Sequence, residues 1–251
     1  MNNEQIIEYA ADAGQIILEA GSETYRVEDT INRILTAFGI EQPQSFVTPT
    51  GIVISGKRSD GSSISVVRRI TAINVDLEKI SMVNDLSRLI QEQQMTPASF
   101  KDGLNAIMLR PQYPLWLTLL MVGSATFSFT MIFRGTVPEA ACAFAAGIVV
   151  FILRRLARGL KLNPFLQNAA GGLTAVLLGS LFVTLGLTQT LSLIVIGTIM
   201  LLVPGITITN AIRDTFQGDY LSGVTRAVEA FVTASGIAFG TALGFLIVGV
   251  M

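Results

Sequence analysis

Chemistry in this chain could reside in a short polar run that interrupts an apolar one. Pro204-Gly205 is followed by Ile206-Thr207-Ile208-Thr209-Asn210 and then Arg213-Asp214, and Ser222, Gly223, Arg226 and Glu229 come soon after. Proline removes a backbone donor and glycine relaxes the chain, so a helix is expected to break there. Broken helices at membrane depth free backbone groups for substrate or ions, while a kink accommodated by neighbouring helices is the plainer alternative. Arg226 and Glu229 are three residues apart, on adjoining faces of one helix. A charge in or at the rim of a helix bundle faces a partner or an aqueous cavity. Arg226 could therefore meet an anionic carboxylate, and Glu229 could carry a proton if buried; equally, Arg226 could pair with Glu229 or Asp214 as a structural ion pair at the interface. Gln167 and Asn168 lie in another apolar run, where they need interhelical partners or line the same cavity. Near the N-terminus, Glu23, Arg26 and Glu28 fall within six residues, as a solvated helix face with ion pairs or as a docking and gating surface.

Composition removes many other chemistries. The 251 residues include no histidine, which excludes Ser-His-Asp and Cys-His catalysis, His-ligated metal sites and His-based pH sensing. The single cysteine, Cys142, lies among alanines and reads as a small packed hydrophobe. No metal site and no cofactor is expected. Net charge is -1, with no basic run in the first hundred residues, so the electrostatic footprint of a nucleic-acid binder is missing. Charged residues make up 14% of the chain, and 24 of the 35 fall in residues 1–110, so the chain reads as two domains in two solvents. Glu4, Glu8 and Asp12 without a basic residue are the reverse of a signal peptide, and no cleavage for secretion is expected.

The elements that must carry these residues follow from periodicity. Ile6, Ile7, Ala10, Ile17 and Leu18 make an amphipathic helix over 4–20, ended by Gly21; Ser22 is expected to cap a second helix with Val27, Ile31, Ile34, Leu35 and Phe38 on its stripe, stopped by Gly39. Phe46–Thr48, Gly51–Ser55 and Ile64–Ile70 are rich in strand-forming residues, and Asp60-Gly61 signals a turn, so a hairpin preceded by an extra extended piece is predicted. Leu77, Ile80, Val83, Leu86 and Ile90 restore a helical stripe, and Ser99 with Asp102 resembles a capping box for a short helix to Leu109.

Five hydrophobic segments follow, at 115–133, 137–153, 165–186, 190–212 and 222–250, each near the length that crosses a bilayer. The fold class is thus an all-α bundle of five transmembrane helices (111–251) preceded by a small α+β cytosolic domain (1–110). Arg154, Arg155, Arg158 and Lys161, with Arg110 and Arg213, lie on one side by this count; Arg134 lies on the other. The positive-inside rule then puts the N-terminus in the cytoplasm and Met251 outside, with Tyr113 and Trp116 at the first interface. Gly171, Gly172, Ala175 and Gly179, and Gly236, Gly240 and Gly244, permit close helix approach.

Several ordered motifs then resemble one family. Gly21-Ser22-Glu23-Thr24-Tyr25-Arg26-Val27-Glu28-Asp29-Thr30, Phe46-Val47-Thr48-Pro49-Thr50-Gly51-Ile52, Val83-Asn84-Asp85-Leu86-Ser87-Arg88, and Pro204-Gly205 with Asn210, Asp214, Gly218, Gly223, Arg226 and Glu229 resemble the threonine/serine exporter (ThrE) family, from about residue 8 to 248. Full-length members resemble a cytosolic domain followed by about ten membrane helices in two halves. This chain is similar to the larger half of the split, YjjP-like form, and the resemblance implies a second small membrane subunit of the YjjB type, or self-association. It also implies a bacterial inner-membrane location and export of a small polar metabolite, an amino acid such as threonine or serine, or a dicarboxylate such as succinate. Pro204, Gly205, Asn168, Asn210, Asp214, Arg226 and Glu229 are the expected substrate pathway, with Glu23, Arg26 and Glu28 the cytosolic motif. Two other classes stay open: a membrane-embedded hydrolase using Asp214 and Asp219, and a membrane-anchored scaffold or sensor.

Overall fold

The computed structural model describes residues 3–57, 63–160 and 162–249. The expected Asp60-Gly61 turn, Lys161 and Met251 lie outside them. The chain divides into two compact units, one of Met1–Pro111 with Ile206–Ala227, the other of Gln112–Gly205 with Val228–Met251.

In the first unit, helix α1 (Asn3–Glu19) is the central element. It packs against α2 (Thr24–Ala37) and against a meander of β1 (Gln44–Thr48), β2 (Gly51–Lys57) and β3 (Ser63–Arg69). The extended piece expected ahead of the hairpin is β1, which pairs antiparallel with β2 in a register that sets Phe46 opposite Val53; β3 pairs on the other side, with Val67 opposite Val53. Alternation sends Ile52, Ile54, Ile64 and Val66 into the core and leaves Val53 and Val67 exposed. Gly14 permits a close approach of α1 to α2, since a Cβ there would stand 2.6 Å from the Ile31 side chain. Helices α3 (Leu77–Glu92) and α4 (Pro97–Met108) complete the core, with Phe38 edge-on to Phe100 at 5.8 Å. Two expected caps are shifted by a few residues. The N-cap of α2 is Glu23 rather than Ser22, and the Ser22 hydroxyl has no hydrogen-bond partner. The N-cap of α4 is Thr96, whose hydroxyl accepts from the Ser99 N–H, because Pro97 already fits the first helical position and needs no donor.

The second unit holds α5 (Leu115–Ile132), α6 (Val137–Gly159), α7 (Pro164–Thr184) and α8 (Leu191–Ile199), with the greater part of α10 (Tyr220–Val248). Four helices, α5, α6, α7 and α10, are long and apolar enough to cross a membrane. The stretch 190–212 is not one helix: α8 ends at Ile199, a turn follows, and α9 (Gly205–Phe216) begins at the expected break. At 1.5 Å per residue, α8 reaches about 14 Å and α9 about 18 Å, each short of a hydrocarbon core of about 30 Å. Helices α5 and α6 pack antiparallel, Gly123 receiving the Phe144 ring and the Thr126 hydroxyl donating to the Ala143 carbonyl at 2.9 Å. Helices α7 and α10 pack parallel: Gly236 faces Phe165, Gly240 lies on the Ala169 carbonyl, and Gly244 faces Val176. Gly172 reciprocates, a Cβ there standing 2.7 Å from the Ile237 carbonyl oxygen. The four-residue glycine spacing therefore does what such spacing allows, bringing backbone against backbone.

Candidate functional site

The candidate site lies wholly within the first unit, where α9 and the first two turns of α10 meet the turn between α1 and α2. That turn is shaped by Gly21, whose φ of 87° is open to glycine and strained for other residues. The chain then exposes the Gly21 and Ser22 carbonyls, and Thr24 opens α2 with its N–H unused by the helix ladder.

Four side chains meet this turn. Asn210 donates to the Gly21 carbonyl at 2.9 Å. Arg226 donates through Nη2 to the Ser22 carbonyl at 2.7 Å and through Nε to Asp214 Oδ2 at 3.0 Å. Asp214 also accepts from the Thr24 N–H at 3.2 Å on Oδ1 and from the Thr24 hydroxyl at 3.0 Å on Oδ2. Arg213 pairs with Glu23, which Arg26 also approaches at 3.3 Å. Asp214 is fully buried and Arg226 is 2% exposed, so the pair is sealed from solvent. A buried carboxylate and guanidinium are tolerable only when paired and hydrogen-bonded, and here each has both. The α9–α10 hairpin is tight enough to deliver them because Gly223 sits against the Ala211 carbonyl, where a Cβ would come within 3.1 Å.

The flanking carboxyls respond to this arrangement. Burial alone would raise the Glu23 carboxyl, but its own backbone N–H, the Arg213 hydrogen bond and the charges of Arg26 and Arg213 together hold it below its ordinary value. Burial raises Asp219, and the charge of Asp214 adds to the rise. Burial likewise raises Glu28, opposed by the Val47 N–H at 2.9 Å and reinforced by Asp219.

Of the residues singled out in sequence, Asn210, Asp214, Arg226 and Glu23 come together directly, with Arg26 on Glu23. Glu28 is tied instead to β1. Pro204 ends the turn preceding α9, and Gly205 is the first residue of that helix. Glu229 is exposed on α10 and belongs to the second unit, as does Asn168, buried with its amide donating to the Pro164 carbonyl and its Oδ1 unpartnered. Of the two ion pairs open to Arg226, the structure makes the one with Asp214. The sequence reading missed Thr24 as a contributor, the signal being a hydroxyl at the first position of α2, and it named Arg213 only as part of the polar run, without its Glu23 partner. It also missed Glu139, which is buried in the second unit and accepts from the Thr136 N–H at 2.6 Å and the Thr136 hydroxyl at 2.9 Å.

Four helices long and apolar enough to cross a membrane fit a multi-pass membrane protein. The chain belongs to the threonine/serine exporter family (ThrE), whose family model matches residues 8–248. It is similar to "Probable succinate transporter subunit YjjP" of Klebsiella aerogenes, 24% identical over 86% of this chain and 84% of the relative, and to the protein of the same name in Escherichia coli, 24% identical over 88% and 86%. It is also similar to "Threonine/serine exporter" of Corynebacterium glutamicum, 23% identical over 95% of this chain but 50% of that protein. No solved structure matches. The chain is a transport protein and not an enzyme.

Proposed function

We propose that this chain is one subunit of a secondary exporter of small polar metabolites, an amino acid of the threonine/serine type or a dicarboxylate such as succinate, working with a second small membrane subunit of the YjjB type. The observation that carries the reading is the Asp214–Arg226 pair, a buried charge pair on a hairpin that follows a helix break, held by the α1–α2 turn. Two relatives carry the word subunit in their names, and a third is about twice as long as the region this chain matches. A missing half supplied by another chain accounts for both facts.

We also propose five crossings rather than four, with residues 1–110 on the cytoplasmic side of a bacterial inner membrane and the C-terminus outside. Parallel packing of α7 and α10 supports this, because a chain that leaves along α7 must return before it can start α10. Helix α8 and the turn after it begin that return: Val195 lies beside Gly179, and Leu202 beside Gly171. The break and α9 would complete it, a discontinuous crossing of the kind found at transport sites. Asn168, Pro204, Gly205, Asn210, Asp214, Arg226 and Glu229 are the residues we assign to substrate passage, and Glu23, Arg26 and Glu28 to its cytosolic gating.

The test is efflux of labelled threonine, serine and succinate from cells that express the chain with and without the second subunit. Efflux that needs both chains is expected. Arg226→Ala and Glu229→Gln, expressed at wild-type levels, should each lower it; wild-type efflux from both would remove these residues from the pathway.

A further inference from the structure

Asp214 occupies a slot built for a carboxylate. Its two oxygens are addressed separately, Oδ1 by the Thr24 N–H at 3.2 Å and Oδ2 by the Thr24 hydroxyl and Arg226 Nε, each at 3.0 Å. The positive end of α2, 14 residues long, adds to the charge of Arg226 at the same place. One more donor stands ready nearby. The Ser22 hydroxyl is buried, has no partner, and belongs to the residue whose carbonyl accepts from Arg226. Asp214 thus leaves the hydroxyl of this neighbouring residue unengaged.

The helix that brings Asp214 has anchors of its own. Asn210 holds the Gly21 carbonyl and Arg213 holds Glu23, neither through Asp214. Release of the aspartate side chain would therefore leave α9 attached to the turn.

We propose that the Thr24–Arg226 slot is a carboxylate receptor in which Asp214 is a resident competitor, so that the structure is a self-occupied, autoinhibited state and the carboxylate of a transported solute takes the place of Asp214. The proposal rests on the exporter reading for the source of the carboxylate, and on the first unit alone for the slot. Removing the competitor should unmask the receptor. In Asp214→Ala the slot keeps the Thr24 N–H and hydroxyl and the guanidinium, and lacks only its anion.

The experiment uses the purified full-length chain in detergent and sodium acetate as the probe, against sodium chloride at equal ionic strength. Wild type, with its slot filled, should gain no more thermal stability from acetate than from chloride. Asp214→Ala should be raised by several degrees by acetate alone, as expected for a ligand that binds only the folded state. Adding Thr24→Val and Arg226→Gln to that variant should abolish the response. Should Asp214→Ala yield no folded protein, Asp214→Asn replaces it: the amide has the same shape without the charge, and line broadening of labelled acetate should be about tenfold stronger than with wild type, corresponding to about 1.4 kcal/mol in affinity. An acetate effect equal to that of chloride in Asp214→Ala, or a response that survives loss of Thr24 and Arg226, overturns the proposal and leaves Asp214 a structural lock. Failure of the exporter reading shows differently: acetate binds the unmasked slot, yet the wild-type chain with its partner exports nothing.

Discussion

The two units of this chain are held together in opposite ways. In the first, large aliphatic and aromatic side chains are fully buried, among them Ile7, Ile17, Leu18, Ile31, Ile34, Leu35, Ile52, Ile54, Phe100 and Leu104. In the second, the buried positions are mostly small, such as Ala140, Ala143, Ala146 and Ala175, while Trp116, Phe231, Phe239 and Leu246 face outward. Water accounts for the first pattern, since it drives large apolar surface inward. A bilayer is as apolar as leucine and gives no such drive, so the second unit coheres by bringing backbones close and donating hydroxyls to carbonyls. The stretch 206–227 comes from the apolar half of the sequence, yet Asn210, Asp214, Ser222 and Arg226 are buried within the first unit. There a buried polar network, rather than apolar core or glycine contact, makes the join.

The largest effect should come from breaking that network. Arg226→Ala leaves Asp214 buried without its cation, a loss of about 3–5 kcal/mol for such pairs. Hydrogen exchange should show α9 and the Gly21–Thr24 turn losing protection while α5 and α6 keep theirs. Equal loss in both places would mean the units do not differ as described. Next comes Gly240→Ala, whose added methyl falls on the Ala169 backbone and forces α7 and α10 apart, at about 1–3 kcal/mol. Protection should fall in α7 and the C-terminal half of α10 and be unchanged in α1 and the sheet.

Much of this contrast was legible in the sequence because it is written in periodicity. The stripes Ile6–Leu18 and Val27–Leu35, the three strands, and the glycine spacing at 236, 240 and 244 are local patterns, and each element stands where its pattern put it. The break at Pro204-Gly205 was legible for the same reason. The clamp was only partly so. Asp214 and Arg226 could be paired on paper because twelve residues separate them, but Thr24 lies 190 residues from Asp214, and no local period reports a contact at that distance. Ser22 misled in another way: its type suits a helix cap, yet Gly21 turns the chain so that Glu23 takes that position. Thr126 shows the same limit within the membrane half, since no local pattern marks its hydroxyl until α6 is set beside it.

Thr126→Val tests that last contact and carries a smaller effect. It keeps the shape and removes one interhelical hydrogen bond, at about 0.6–1.7 kcal/mol within a membrane bundle. Thermal unfolding should shift down by a similar amount at any pH from 5 to 8 or so, since no charge is involved.

The smallest effect is one of sign, and it is confined to the first unit. Glu23 ionises more readily in the folded chain than its ordinary value of 4.5 allows, so its contribution is complete above that value and is lost as pH falls through the depressed one. Glu28 and Asp219 are raised, so each opposes folding once ionised; that penalty is absent below the ordinary carboxylate value and grows as pH climbs through the raised one. Asp219→Asn should therefore stabilise the chain at neutral pH, by about 1 kcal/mol or less given its partial exposure, and the gain should vanish near pH 4. Asparagine caps a helix as well as aspartate does, so the start of α10 at Tyr220 survives the exchange. Glu23→Gln should do the reverse, costing stability at neutral pH and nothing below the depressed value. Stability curves of the two variants, each taken as a difference from wild type between pH 3.5 and 7.5 or so, should diverge as pH rises. Curves that run together would mean that Arg213 and Arg26, not the neighbouring aspartates, set the electrostatics of the whole clamp.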